Sequence, residues 1–510
     1  MQLSKSRFVA GSQCHRLLWW KAHEPNAVEL QPDKVLQDRF DQGAQVGALA
    51  RTHFPGGVLI DLPHRAVAER LQRTREAMES GAPAVYEASF VADNTFVAVD
   101  VLAREGGSGP DGWRMVEVKS ASSQKDEHLL DAAVQLHVLT ASGLDVRAVE
   151  IMHLNRDFRH PDQGELFART DVTEQVRPML PMLPGQIAAQ LAVLAGPLPD
   201  APIGINCHEP YACPFMDRCW PKEPDHIGKL YGVGKQKCAD YMTAGVHRIA
   251  DIPPKKKLSA TARRQIRSMR EKKLVVEPGL SEALAAFDVK LGFLDFETIS
   301  RAVPVWPGMA PWEMAAAQFS YHEVTDDANG TPGAGSARYL HEEFLADGSQ
   351  DARPALARAM IEATLGAERV VTYSSFEKTR IRGLQQSVPE LRAELLALEE
   401  KLIDLLPVLR EHVYHPEFRG SFSLKYVLTP LVPELTYSDL VIVDGMAASV
   451  EIARLLFVAQ KIPAEERARV RQDLLDYCER DTWAMVRLLE RLRELAGASD
   501  SREYPPLRLV

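Results

Sequence analysis

Hydrophobic and polar positions fall into short blocks along the chain, and the blocks sort into two α/β stretches with a helical stretch between them. In the first, VYEASF (85–90), FVAVDVLA (96–103) and WRMVEVKS (113–120) have the β-branched and aromatic composition of strands. The turn-rich REGGSGPDG between the last two marks a hairpin-type connection. A helix-spaced pattern follows over 127–141, and VRAVEIMHL (146–154) reads as a further strand. Residues 222–280 carry helical patterning. A second α/β stretch starts near 288 with the apolar strand VKLGFLDFETIS, continues through the strand-like RVVTYSSF (369–376) and closes in a long helical pattern over 463–496. The Gly-rich VTDDANGTPGAGSARY (324–339) reads as an exposed loop, and there is no internal repeat. Such alternation predicts an α/β protein, divided into residues 1–225, a small helical region 226–285, and residues 286–510.

Composition narrows the class. At roughly 100–200 residues per domain, 510 residues make two to four domains. A hydrophobic share of 45% and a charged share of 25% are ordinary for a globular chain and exclude a fibrous or wholly disordered one. No stretch approaches the roughly 18–20 apolar residues that span a bilayer. The start, MQLSKSRFVAGSQCHRLLWW, has neither a long apolar run nor a secretory cleavage pattern. A cytoplasmic location is expected. The net charge of −10 argues against a protein that coats DNA with its whole surface. Any nucleic acid would then meet a local basic groove, and Lys255, Lys256, Lys257, Arg263, Arg264, Arg267, Arg270, Lys272 and Lys273 against the single acid Glu271 offer one. A solvated helix face fits the same run. No G-x4-G-K-[ST] pattern is present, so no ATP-driven motor is expected in this chain.

Three of six cysteines, Cys207, Cys213 and Cys219, are evenly spaced as C-x5-C-x5-C. Such clusters bind metal more often than they form disulfides in a reducing compartment. A metal or iron–sulfur site wants four thiolates, and Cys14 is the natural fourth. Cys238 and Cys478 read as ordinary buried thiols. Joining Cys14 to the triplet ties the ends of the first domain across roughly 190 residues, which removes much unfolded-state entropy. Spacing alone does not separate zinc from [4Fe–4S]; the absence of C-x2-C pairs favours iron–sulfur.

Two acidic constellations carry chemistry. Glu117 and Lys119 sit at i and i+2 in a strand and so share a face, beside Asp100 if the neighbouring strands pair as a hairpin. Carboxylates converging in this way bind Mg²⁺ or Mn²⁺, and a lysine beside them can stabilise developing charge. Gln135 follows on the next helix, and Glu87 precedes on the previous strand. Together with the cysteine triplet, residues 1–225 resemble the RecB-type PD-(D/E)XK nucleases with an iron–sulfur staple, a group that includes the CRISPR-associated RecB-like exonucleases and the AddB nuclease domain. The resemblance implies a restriction-endonuclease-like fold, with Asp100, Glu117 and Lys119 catalytic, Gln135 as the helix-motif glutamine and Glu87 as the early acid. It also implies Cys14, Cys207, Cys213 and Cys219 as ligands of a [4Fe–4S] cluster.

In the second constellation LDFET places Asp295 and Glu297 on one face of an apolar strand, which is costly unless they are paired or hold a cation. Downstream, Tyr477 and Asp481 are four apart on a helical pattern and share its face. Strand D-x-E with helical Y-x3-D resembles the DEDDy branch of the RNase-H-like 3′→5′ exonucleases. That resemblance implies a mixed-sheet RNase-H-like domain and two metal ions, with Glu377 of YSSFEKT as the third acid and Asp404 as the fallback. The whole chain resembles an uncharacterised bacterial family that fuses a RecB-type nuclease, a small helical region and an RNase-H-like domain. GSFSLKYVLTPLVPELTYSDLVIVDGMAAS (420–449) shares in that likeness; its Ser421, Ser423 and Lys425 are phosphate-contact candidates, with a surface turn as the alternative. KLYGVGKQKCADYMTAGVHRIADIP resembles a helix–hairpin–helix whose Gly-Val-Gly turn would offer N–H groups to a phosphate, or else is a plain helical connector.

These readings converge on a metal-dependent nuclease, DNA before RNA as substrate, using Mg²⁺ or Mn²⁺, in repair or defence, with a helicase or a repair or defence complex as the partner class. Two other readings compete. In one, only the C-terminal domain is active, on RNA or DNA, and the N-terminal domain grips the strand. In the other, the chain is a non-catalytic nucleic-acid-binding or redox-sensing scaffold.

Overall fold

Alternating burial organises both α/β regions, as a computed structural model of the protein makes plain over residues 1–105, 112–253, 257–325 and 338–498. The tip of the expected hairpin (106–111), Lys255 and Lys256 of the basic run, and most of the Gly-rich stretch (326–337) lie outside the described residues. The architecture is mixed α/β in two compact units. One comprises Met1–Trp220 together with Arg301–Glu313, the other Pro221–Ser300 and the described residues from Met314 onward.

The first unit is built on seven strands: β1 (Leu3–Ser4), β2 (Val58–Leu59), β3 (Ala84–Ala92), β4 (Thr95–Glu105), β5 (Gly112–Lys119), β6 (Val146–Leu154) and β7 (Phe167–Asp171). Their order is β2-β3-β4-β5-β6-β7, with β1 added parallel to β4. β3, β4 and β5 run antiparallel, whereas β6 is parallel to β5. A parallel neighbour needs a crossover, and the helix Asp126–Ala141 supplies it. That helix carries Ala132, Val134, Leu136, Val138 and Leu139 into one core with Val97, Val99, Val149 and Ile151. On the other face Val101, Val116 and Met152 pack with Val46, Ala50 and Ala302. The Arg301–Glu313 segment is fastened by Arg301 to Asp38 at 2.6 Å and by the Trp312 indole N–H to the Ser120 carbonyl. One helical run, Thr173–Ala195, is apolar enough by length and composition to cross a membrane, which corrects the expectation of no such stretch. It contains Glu174 and Arg177, and its Leu183, Ile187 and Leu194 belong to the first core.

The second unit contains β8 (Val275–Val276), β9 (Leu291–Ser300), β10 (Met314–Thr325), β11 (Arg338–Leu345), β12 (Arg369–Thr372), β13 (Leu402–Asp404) and β14 (Val413–Tyr414). The main sheet runs β11-β10-β9-β12-β13, and β8 pairs with β14 apart from it. β9–β11 are antiparallel; β12 and β13 are parallel to β9 and β12 respectively. Successive residues of a strand face opposite ways. Leu294 and Phe296 therefore join Leu356, Met360, Ile381 and Leu395 in the core on one face, and Asp295 and Glu297 are left on the other, under the helices Gly445–Phe457 and Ala464–Ala498.

Two expectations change. RVVTYSSF is a strand only to Thr372; Ser374 has φ of 137° and a helix begins at Phe376. Tyr373 and Phe376 have strand-like composition, but the left-handed Ser374 ends the ladder. The basic run is largely structural. On the helix Ala260–Glu271, Arg264 is buried against Glu277 and the Arg410 carbonyl, and Arg270 donates to the carbonyls of Ala250 and Ile252 at 2.8 and 2.6 Å.

Candidate active sites

In the first unit the β4–β5 register sets Val101 opposite Val116, which brings Asp100 level with Glu117. Asp100 Oδ2 accepts the Val118 N–H at 2.7 Å. Gln135, facing inward from the crossover helix, donates to Glu117 Oε2 at 2.7 Å. Glu117 Oε1 accepts from Lys119 at 2.8 Å and also from Lys5 at 2.8 Å. Lys5 was not expected from sequence, being 112 residues away. Asp131 was also missed. It bonds Lys119, lies 3.8 Å from Lys5, and stands one helical turn before Gln135, a spacing that is visible in the sequence.

The charges nearly cancel. Burial alone would raise the Glu117 pKa, but Lys119 and Lys5 outweigh it and hold this carboxylate well below its usual range. Asp100 goes the other way, pushed up to about 7 by burial and then by the charge of Glu117. Glu87 contributes to that push from β3, where it has φ of +57°, a conformation costly for a non-glycine residue. Buried Arg70 holds the kink, donating to the Glu87 carbonyl at 3.1 Å and to Ser89 Oγ at 2.9 Å. Gln135 Oε1 is buried with no partner. An oxygen donor set with one orphaned acceptor fits a hard divalent cation.

The four expected cysteines come together. Cys14 occupies the extended link between the helices Lys5–Gln13 and His15–His23. With Cys207, Cys213 and Cys219 it lines one pocket walled by Leu17, Trp20 and Phe215. Gln13 fastens the cysteine loop by donating to the carbonyls of Asn206 and Tyr211 at 2.8 and 2.7 Å. Burial, and then the neighbouring cysteines, push Cys213 up to about 11. The Arg16 guanidinium points at Cys219 Sγ from 3.5 Å. Four thiols lining one pocket are a soft donor set that fits a group bound by thiolates. Cys238 and Cys478 are buried elsewhere.

In the second unit Asp295, Glu297 and Asp481 offer carboxylate oxygens that all lie within 4.8 Å of one another. Glu297, Glu377 and Asp481 are buried. Burial, with mutual repulsion, raises Asp295 and Glu297 well above the carboxylate range. Glu377 is raised to about 7 and Asp481 to about 6, burial being the main cause in each. Glu377 faces Asp295, and Glu377 Oε2 is buried with no hydrogen-bond partner. Tyr437 donates to Asp481 at 2.5 Å, and Tyr477 faces the same carboxylate. Tyr437 was not expected from sequence. Lys425 extends over the Tyr477 and Tyr437 rings, 4.9 and 5.5 Å from their centroids, and is the cation that moderates Glu297 and Asp481. Of its expected companions, Ser421 accepts the Ser423 N–H in an exposed turn. Asp404 caps the helix Leu405–His412 through the Leu406 N–H at 2.9 Å, with its charge felt at Glu377. The four acids form an oxygen donor set for hard cations.

Residues 292–423, which contain Asp295, Glu297, Glu377 and Asp404, match a family described as a domain of unknown function (DUF2779). No curated protein matches the chain.

Proposed function

We propose that this protein is a metal-dependent nuclease with two phosphodiester-hydrolysing centres: a RecB-type PD-(D/E)XK domain with an iron–sulfur staple, and a DEDDy-type RNase-H-like exonuclease domain acting on single strands, DNA before RNA. The observation that carries the proposal is the gathering of Asp295, Glu297 and Asp481 oxygens within 4.8 Å, beside Glu377, against the partial offset of Lys425 and Arg480. Uncompensated buried carboxylates are expensive, and a divalent cation is the simplest reason to keep them.

Asp295, Glu297, Glu377 and Asp481 would hold Mg²⁺ or Mn²⁺. Such ions acidify water and neutralise charge on the attacked phosphate. Tyr437 fixes the orientation of Asp481 by donating to it, and the Tyr477 hydroxyl beside Asp481 can meet the attacking water. Lys425 gives the rim of the site a positive charge for a phosphate. In the first centre Asp100, Glu117 and Glu87 are the cation donors, Gln135 orients Glu117, and Asp131 holds Lys119 where it can meet developing negative charge. Cys14, Cys207, Cys213 and Cys219 would hold the cluster, whose contribution is structural.

The test is a pair of substitutions, Asp295→Ala and Lys119→Ala, assayed separately on end-labelled single-stranded DNA and RNA with Mg²⁺ and with Mn²⁺. Loss of a distinct part of the activity in each variant supports two centres. A second reading, in which only the C-terminal centre cuts, is favoured by the pairing of Glu117 with both Lys5 and Lys119. Activity lost with Asp295→Ala and untouched by Lys119→Ala would select it. Wild-type protein inert with both metals would remove the nuclease proposal.

A further inference from the structure

His322 on β10 and His341 on β11 are register partners, so their side chains emerge side by side on the sheet face that carries Asp295. The rings stack at 4.5 Å between centroids, 26° from parallel. Glu479 lies two residues before Asp481 on the helix Ala464–Ala498, about 200° around its axis. While Asp481 joins the β9 acids, Glu479 reaches the histidines, and one ligand atom from each of His322, His341 and Glu479 lies within 4.8 Å of the other two.

The hydrogen bonds around the rings prepare them as ligands. His322 Nδ1 is 2.9 Å from Thr482 Oγ1, and His341 Nε2 is 3.0 Å from Ser320 Oγ. Thr482 donates its one proton to the Glu479 carbonyl at 3.0 Å, and Ser320 Oγ lies 2.8 Å from Thr482 Oγ1. With the Ser320 proton directed to Thr482, both hydroxyls accept from the imidazoles. His322 Nε2 and His341 Nδ1 then keep their lone pairs, the arrangement in which a second hydrogen bond sets the tautomer of a metal-ligating histidine.

We infer that His322, His341 and Glu479 form a transition-metal site of the zinc class, separate from the acidic centre on the other flank of the same helix. Two imidazoles and one carboxylate suit Zn²⁺ and its borderline neighbours, whereas the all-oxygen set around Asp295 suits Mg²⁺ or Mn²⁺. Three protein ligands leave a coordination position open. Bound there, the ion would tie the β10–β11 pair to the helix that carries Tyr477 and Asp481, steadying those side chains. The inference concerns binding and does not depend on the nuclease proposal.

The test is zinc content and zinc-induced thermal shift of the full chain, stripped with chelator, exposed to Zn²⁺ and dialysed. His341→Ala and Glu479→Gln alter a half-buried and an exposed position and spare buried His322. The wild type should retain one more zinc per chain than His341→Ala, and Glu479→Gln should weaken that zinc by about tenfold or more. Asp295→Asn should retain as much zinc as the wild type. Comparison between variants removes any zinc held by the cysteines, which all of them share. Equal zinc content and an equal thermal shift in the wild type, His341→Ala and Glu479→Gln would overturn the inference.

Discussion

The two acidic clusters solve one electrostatic problem in opposite ways. In the first unit Glu117 is buried between Lys5 and Lys119, and Asp131 balances the second ammonium, so the group is nearly neutral as it stands. In the second unit Asp295, Glu297, Glu377 and Asp481 crowd together, with Lys425 moderating Glu297 and Asp481 and Arg480 adding to it at Asp481. The first cluster is stable without a cation, and a cation binding there must compete with the lysines. The second needs either protons or a cation. Carboxylates in sequence therefore say less than the lysines that reach them from afar.

The sharpest way to break the contrast is to remove a carboxylate from the uncompensated cluster. Asp481→Asn should lower Mn²⁺-dependent cleavage of labelled single-stranded DNA by about a hundred- to a thousand-fold, the scale of losing one preorganised electrostatic group. On the proposed four-cysteine staple, Cys14→Ser should destabilise the first unit by about 2–4 kcal/mol, seen as a lower urea midpoint for its transition. Lys5→Met makes the first cluster resemble the second. It should cost about 1–3 kcal/mol in chelator, the scale of an unsatisfied buried group, and Mn²⁺ should recover part of the loss in a melting experiment.

The pH dependence separates the clusters further. Carboxyls with raised native pKa values contribute stability that is complete below about pH 4 and is lost as pH rises through their native values, about 6 for Asp481 and about 7 for Glu377. Metal-free protein should therefore melt lower, by roughly 5 °C, at pH 8 than at pH 5 for the second unit, with Mn²⁺ restoring more at pH 8. In the first unit Asp100, raised to about 7, shares this sign, whereas Glu117 has the opposite one. Its contribution is present above the ordinary glutamate range and is lost only in acid. The smallest effect is expected for Tyr437→Phe, which removes one hydrogen bond to Asp481 worth ~1 kcal/mol and should slow cleavage roughly fivefold.

Much of this was legible in the sequence where the signal is local. Strand-like composition revealed β3–β6 and β9, and the i, i+2 spacing placed Asp295 with Glu297 and Glu117 with Lys119, because strand geometry alone decides those pairs. Tyr477 and Asp481 followed from helical spacing in the same way. Lys5, Arg70 and Tyr437 were not legible, since each reaches its partner across the fold from a segment with no pattern of its own. Asp131 was readable from its spacing to Gln135 and was passed over. The basic run misled because charge patterning does not show where an arginine is spent: Arg264 and Arg270 satisfy carbonyls inside their own unit. His322 and His341 become neighbours only through the β10–β11 register.

The most direct measurement is cleavage of 5′- and 3′-labelled single-stranded DNA by anaerobically purified wild-type protein, with chelator and with Mn²⁺, its visible spectrum recorded beforehand. Stepwise degradation that requires Mn²⁺ is predicted, from a brown protein with broad absorption near the ~400 nm expected of thiolate-bound iron–sulfur. Intact substrate at every metal concentration would contradict the nuclease proposal, and a colourless, active protein would contradict the iron–sulfur staple while leaving the carboxylate centre standing.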